Sequence, residues 1–396
     1  MRHFDVAERR RRLLARHHLT TPARSIEQVA GDLVGIHSTD PATVYLSLRN
    51  RIAGFTVADF DAAMYERHSM TRILGMRRTL FVAPLDLAAV IDAACTKALV
   101  ANERRRTVQL MEAEGIADAP ATLEAACRAT LAALHAAAEP IAARFLTPAI
   151  PELQMQVTMA ADKAYAARPN LTNRVCLHLS TEGHIVRARP LGSWLSSQYR
   201  WCPTERWFDP FPSIPAAAAR SELVRRWLRT YGPGTTTDIA WWTKWTKRDV
   251  LAALAAIDAE AITVEPAPGA GPVPAWALSD DLDDTAATDG PVVHLLPSLD
   301  SAIMGWKERE WYLGSHAGPL FDRNGNAGPI VFVHGVAVGA WAQRAGGQVV
   351  TELLEPVPSI VADRIAATAD ELTDWFAGVR VTPRFPNPLE RHLANG

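Results

Sequence analysis

Lysine is scarce. Five lysines occur in a chain of 396 residues that carries 41 basic side chains, the others all arginine. Amine-based covalent chemistry therefore has few candidates. Cysteine is rarer still: Cys95, Cys127, Cys176 and Cys202 stand far apart, with no CxxC pair. That usage fits reduced structural thiols in a cytoplasmic protein and argues against a zinc site. No run of about 18 apolar residues is present, so no membrane-spanning helix is expected. The basic run Arg9-Arg10-Arg11-Arg12 lacks the apolar segment that would follow it in a secretory signal. Neither sign of charge dominates: 43 acidic residues against 41 basic give a formal net charge of −2. A nucleic-acid partner would have to be met by local basic patches. The P-loop, a GxGxxG after a strand, HExxH and GxSxG are all missing. No metal-ligand spacing emerges among the twelve histidines, so no metal and no cofactor is expected.

What is present is a folded protein. Hydrophobic residues make up 48% of the chain and charged residues 21%, a balance foreign to disordered chains. At roughly 100–200 residues per domain, two to four units are expected. The first hundred residues read as helices followed by a hairpin. Ser25 with Gln28 and Thr56 with Asp59 fit capping boxes, and Asp40-Pro41 is a strong helix start. Residues 70–74 and 78–82 read as strands around Gly75, with Pro84 closing the unit. Three helices and a β-hairpin in that order are the winged-helix plan.

The order recurs. Residues 122–136 are helical, and residues 175–179 and 184–188 alternate as a strand–turn–strand wing around Glu182-Gly183. A third unit runs from a helix at Ser221–Thr230 through Gly232-Pro233-Gly234. Helices capped by Thr235 and Thr246 follow, then a strand at Ile262–Val264. Residues 265–290 read as a loop whose acidic run, Asp280 to Asp284, should be solvated. Four strand signals between Val292 and Leu354 and a closing helix at 359–377 complete the chain. The expected architecture is α+β: tandem winged-helix units with a β-rich C-terminal region. The unit boundaries are read as 1–115, 116–215, 216–290 and 291–396.

Four stretches together carry a resemblance. They are Gly35-Ile36-His37-Ser38-Thr39-Asp40-Pro41, Leu74-Gly75-Met76-Arg77-Arg78-Thr79-Leu80-Phe81, Tyr231 through Trp242, and Leu295-Leu296-Pro297-Ser298-Leu299-Asp300 followed by His334 through Trp341. In order and spacing the chain resembles the AlkZ-like and YcaQ-like winged-helix DNA glycosylases. The resemblance implies tandem winged helices in a C-shaped arrangement and excision of bulky N7-alkylated purines, with crosslink unhooking in some members. It places the catalytic motif, Gln-x-Gln or Gln-x-Asp, where this chain holds His37 and Thr39. The chain departs from the pattern there.

The chemistry tolerates such a departure. An N7-alkylated guanine is cationic, and cleavage releases a neutral base. The protein need only guide a water to C1′ and stabilise oxocarbenium character. His37 and Thr39, two residues apart, would share one side of an extended segment and hold that water, with Asp40 capping the next helix and as a secondary ligand. Arg72, Arg77 and Arg78 on the first wing, and Lys244, Lys247 and Arg248 at a helix start beside Trp241, Trp242 and Trp245, are expected to contact phosphates of duplex DNA. The motif holds no lysine for a Schiff base, so a monofunctional hydrolase is expected, acting as a monomer. The alternative is a non-catalytic winged-helix DNA-binding protein, a regulator or damage sensor; a third reading confines the fold to protein contacts.

Overall fold

The computed structural model describes residues 1–159 and 167–395. Strand β1 (His3–Phe4) leads into helix α1 (Val6–Arg16), whose first turn is capped by Asp5 accepting from Glu8 N. The four-arginine run is thus helical. Arg12 pairs with Glu8 one turn back, and Arg9 lies over the Trp311 ring at 4.3 Å. Helix α2 (Ile26–Asp32) starts at Ser25, whose hydroxyl accepts from Gln28 N. The Gln28 side chain reaches back to Arg24 N, one residue beyond the cap. After strand β2 (Ile36–His37), helix α3 (Pro41–Arg49) opens at Asp40-Pro41, and helix α4 (Val57–Tyr65) opens on a complete Thr56/Asp59 capping box.

Strands β3 (Met70–Leu74) and β4 (Leu80–Pro84) form the expected first hairpin. Two features differ from the sequence reading. Strand β2 adds to β4, making a three-stranded sheet of order β2-β4-β3. Arg78 belongs to the turn rather than to a strand: Arg77 and Arg78 both adopt positive φ, 53° and 59°.

Helices α5 (Leu85–Ile91) and α6 (Lys97–Ala113) follow the first hairpin; next come α7 (Ala119–Ala136), β5 (Ile141–Ala142), α8 (Ala143–Ala149) and α9 (Thr172–Thr181), then β6 (Ile185–Pro190) and β7 (Tyr199–Pro203). Helix α9 corrects the wing expected at 175–179. Leu171, Val175, Cys176 and Leu179 are buried at helical spacing, and that period prevails over the short alternation at 175, 177 and 179. The hairpin is built one element later, from β6 and β7.

The third unit contains α10 (Ala216–Tyr231), α11 (Thr236–Thr243), α12 (Lys247–Ala256), β8 (Glu260–Val264) and β9 (Val273–Ala277). Strand β9 replaces part of the loop expected at 265–290. Its Pro274 is tolerated because β9 is the edge of the sheet β1-β8-β9. The parallel β1–β8 pairing ties the N-terminus to this unit. The acidic run is exposed at Asp280, Asp283 and Asp284, as expected, but it is paired with arginines: half-buried Asp281 with Arg12 and Arg16, Asp280 with Arg229, and Asp284 with Arg2. Tyr231, Trp242, Trp306, Trp311 and Tyr312 form a continuous aromatic core. Each buried indole removes on the order of 200 Å² from water, worth about 5 kcal/mol before entropic costs.

The C-terminal region is a four-stranded antiparallel sheet, β10 (Val293–Leu296), β11 (Ile330–Val333), β12 (Val336–Gln343) and β13 (Val349–Leu353). Short helices α13 (Ser301–Met304), α14 (Glu310–Leu313) and α15 (Ala317–Leu320) separate β10 from β11. Helix α16 (Ser359–Phe376) covers one sheet face through Val361, Ile365, Leu372 and Phe376, and α17 (Pro388–Asn395) closes the chain. No helix among the described residues is long and apolar enough to cross a membrane.

Candidate active site and nucleic-acid interface

The register of the first sheet sets the site. His37 pairs with Phe81 and Phe81 with Ile73; Ile36 pairs with Val82 and Val82 with Arg72. Side chains alternate along a strand, so His37, Phe81 and Ile73 share one face and Arg72 lies on the other. The His37 ring meets Phe81 edge-on at 5.2 Å and is 4% exposed. Its Nδ1 is buried with no hydrogen-bond partner among the described residues. Burial, and after it the charge of Arg77, pushes the imidazole pKa down to about 3.

Ser38 turns to the opposite face. Its amide donates to Leu80 O at 2.8 Å, and its Oγ accepts from Arg72 Nε at 3.1 Å. Thr39, in the bend after β2, is half-buried, and its Oγ1 also lacks a partner among the described residues. Asp40 has committed both oxygens: Oδ1 accepts from Ala42 N at 3.1 Å and Oδ2 from Arg384 N at 2.9 Å. Burial raises its pKa against the pull of those two amides. His37 and Thr39 are thus the residues of the segment left with unpartnered polar atoms.

The six basic residues divide. Arg72 is not an exposed wing cation. It is buried, donates from Nη1 to Tyr65 Oη at 2.6 Å, and lies 4.9 Å from the Tyr199 ring. Arg78 is drawn away to Glu103 on α6. A cleft in which His37 faces Arg72, Arg77 and Arg78 together is therefore not formed. Arg77 instead lines an open groove of about 520 Å³ with Trp241, Lys244, Trp245, Lys247 and Lys307. Arg248 is exposed on the first turn of α12, next to Lys247. The tryptophans also divide: Trp242 is core, whereas Trp241 and Trp245 wall the groove.

Sequence reasoning missed Lys307 and Arg309. Isolated charges after Trp306 carry no local pattern. Lys307 lines the groove and Arg309 lies over the Trp241 ring; Asp238, the capping-box residue of α11, anchors their segment by accepting from Lys307 N and Glu308 N, at 2.9 and 3.0 Å. Other residues of the recurrent stretches are structural. Gly234 leaves room for the Trp227 ring, which would lie 2.4 Å from an added Cβ. Among the described residues, no group of three or more His, Cys, Asp or Glu side chains is placed to hold a metal.

The architecture is a mixed α+β chain of helix-and-hairpin units carrying an open cationic groove close to a buried polar motif. The chain belongs to the DNA glycosylase AlkZ-like family, whose model matches residues 30–377. Among solved structures, Streptomyces sahachiroi DNA glycosylase AlkZ shares the fold. The TM-score is 0.68 at 16% sequence identity, over 93% of this chain and 96% of that one. A comparison with curated proteins gives no match.

Proposed function

We propose that the protein is a monofunctional DNA glycosylase that hydrolyses the N-glycosidic bond of N7-alkylated purines in duplex DNA, bulky and crosslinked adducts included. Family membership supports the reaction class. The observation that carries the assignment of residues is the pair of unpartnered buried polar atoms, His37 Nδ1 and Thr39 Oγ1, two residues apart in the segment that ends at Asp40. Buried polar atoms without partners are uncommon, and a water bridging them would satisfy both. We read the chain as the four units 1–115, 116–215, 216–290 and 291–396, with β1 lent to the third. It works as a cytoplasmic monomer without cofactor.

In this mechanism a water held by His37 and Thr39 adds to C1′. The C1′–N9 bond breaks with its electron pair moving onto the cationic purine, which leaves neutral. The water gives up its proton to solvent. With a pKa of about 3, His37 is neutral near pH 7 and a poor base, so it orients the water through a lone pair rather than removing its proton. Asp40 fixes the segment through its two amide contacts. Arg77, Lys244, Lys247 and Arg248 hold the phosphate backbone, which positions the duplex without reading sequence. The motif has no lysine, so the strand is left with an intact abasic site.

A second reading is a non-catalytic DNA-binding regulator or damage sensor. The depth of His37 favours it. The two separate in one assay: duplex containing N7-methylguanine is incubated with the protein and scored for free base and heat-labile breaks. Release that disappears in His37→Ala, with duplex binding kept, supports the glycosylase. Binding without release from any N7-alkylated duplex supports the regulator.

A further inference from the structure

The groove contains an arrangement that a merely solvated basic surface does not need. The guanidinium carbons of Arg77 and Arg309 lie 4.3 and 4.8 Å from the centroid of the same ring, Trp241. Two like charges therefore share one indole. Arg77 is half-buried, its buried Nε has no hydrogen-bond partner among the described residues, and burial, with Arg309 next, lowers its pKa to about 10. Arg309 spends only its Nε, on Trp306 O at 2.8 Å. Among the other buried arginines, Arg12 is paired with Glu8 and Asp281, Arg51 with Asp300 and Arg174 with Glu103, whereas Arg9, Arg72 and Arg187 rest on aromatic rings or neutral oxygens.

Nearby carboxylates are engaged elsewhere. Asp238 takes the amides of Thr235, Lys307 and Glu308; Glu308 accepts from Thr235 Oγ1; Glu310 accepts from Arg309 N. Lys244, Lys247 and Lys307 add three exposed ammonium groups around the same tryptophan. Among the described residues, none of these five cations has a carboxylate within 4 Å. A cluster of this charge, part of it desolvated, is stabilised by an anion whose oxygens meet the guanidinium forks.

We infer that Arg77 and Arg309, propped on Trp241 and assisted by Lys307, form a clamp for one phosphodiester group of a DNA strand. This joins the first hairpin to the C-terminal half across a single backbone phosphate. The inference rests on the glycosylase reading and deepens it by adding Arg309, Lys307 and Trp241 to Arg77, which that reading already sets on the backbone, and its test does not require base release.

The test measures duplex affinity against salt concentration, using a fluorescein-labelled duplex without a lesion. Removing one cation from a phosphate lowers the slope of log K against log salt by about 0.9. Lys307→Gln and Arg309→Gln should each lower it by about that amount and weaken binding about tenfold at low salt. Arg309→Lys should fall between them and wild type. Lys307 is exposed, so Lys307→Gln covers the case in which breaking the Arg309–Trp306 hydrogen bond perturbs folding; thermal melting checks both. Duplex should change tryptophan emission in the wild type and not in Trp241→Phe. Wild-type slopes in Lys307→Gln and Arg309→Gln overturn the clamp. So does millimolar inorganic phosphate that abolishes the tryptophan response while the duplex stays bound, which marks a site for free phosphate instead. If the slopes fall but no base is released from N7-methylguanine duplex, the clamp stands and the glycosylase reading fails.

Discussion

Arg51 and Asp300 meet with no side-chain surface exposed, joined by hydrogen bonds of 2.9 and 2.7 Å from the two guanidinium Nη atoms. Arg51 follows α3, and Asp300 caps α13, so the pair bolts the Asp40-Pro41 helix to the Leu295–Asp300 stretch. Ser47 Oγ donates to the same carboxylate at 2.6 Å. Burial alone would raise the Asp300 pKa; the Arg51 charge and these hydrogen bonds hold it below the usual carboxylate range. Removing one partner strands the other charge. Asp300→Ala is expected to lower stability by about 3–5 kcal/mol, read by urea unfolding, whereas an apolar pair at both positions should cost much less. Equal losses for the single and double replacements would show that the charge pair is not what holds this junction.

Four histidines are neutral and deep in the folded state. His17 is pushed well below its usual pKa, His37 to about 3, and His178 and His294 to about 4, each chiefly because burial disfavours the charged ring. Unfolded, each would titrate near 6.5. As pH falls below that value the unfolded chain binds more protons than the folded one, so stability is full above about 6.5 and drains away toward the folded pKa values. Each such histidine contributes a slope approaching about 1.4 kcal/mol per pH unit. Thermal melting between pH 7.5 and 5 should show a steady fall, flattened in His294→Gln. A melting temperature that does not change over that range contradicts the burial of these rings.

Replacing His37 by glutamine tests orientation against proton transfer. Glutamine keeps a neutral acceptor and cannot serve as a base. If His37 only aims a water, His37→Gln should release N7-methylguanine within about tenfold of the wild-type rate, and the wild-type profile should show no inflection between pH 5.5 and 8.5. A general base would make the loss about 10²–10⁴-fold and put its pKa in the profile.

Much of the fold was legible because local signals agree with tertiary packing. Asp40-Pro41, Thr56/Asp59 and Thr235/Asp238 each place a side chain where orphan amides need it, whatever surrounds the helix. Where two periods compete over a short run, only burial decides, and Leu171, Val175, Cys176 and Leu179 went to a helix. Strand β9 was hidden because its edge position, which licenses Pro274, exists only once β1 and β8 have paired. The site was legible as a motif but not as a surface. His37 and Thr39 keep unpartnered polar atoms, but the strand ends at His37, so alternation along it does not extend to Thr39. That Arg72 faces away follows from the pairing of β3 with β4, and Lys307 and Arg309 join Trp241 from a stretch that Asp238 anchors. Neither is written in any one segment.

Arg72 and Lys247 separate a buried cation from a surface one by the same measurement. Both are basic residues expected from sequence to meet phosphate. Arg72 is buried and engaged by Ser38 Oγ and Tyr65 Oη beside the Tyr199 ring. Lys247 is exposed on the groove wall. Arg72→Met should therefore leave the slope of log K against log salt at the wild-type value while lowering the melting temperature, since it leaves Tyr65 Oη and Ser38 Oγ without their donor. Lys247→Gln should lower the slope by about 0.9 and leave the melting temperature alone. If the slope for Arg72→Met also fell by a full unit, the first hairpin would have to open on binding and turn its arginine outward.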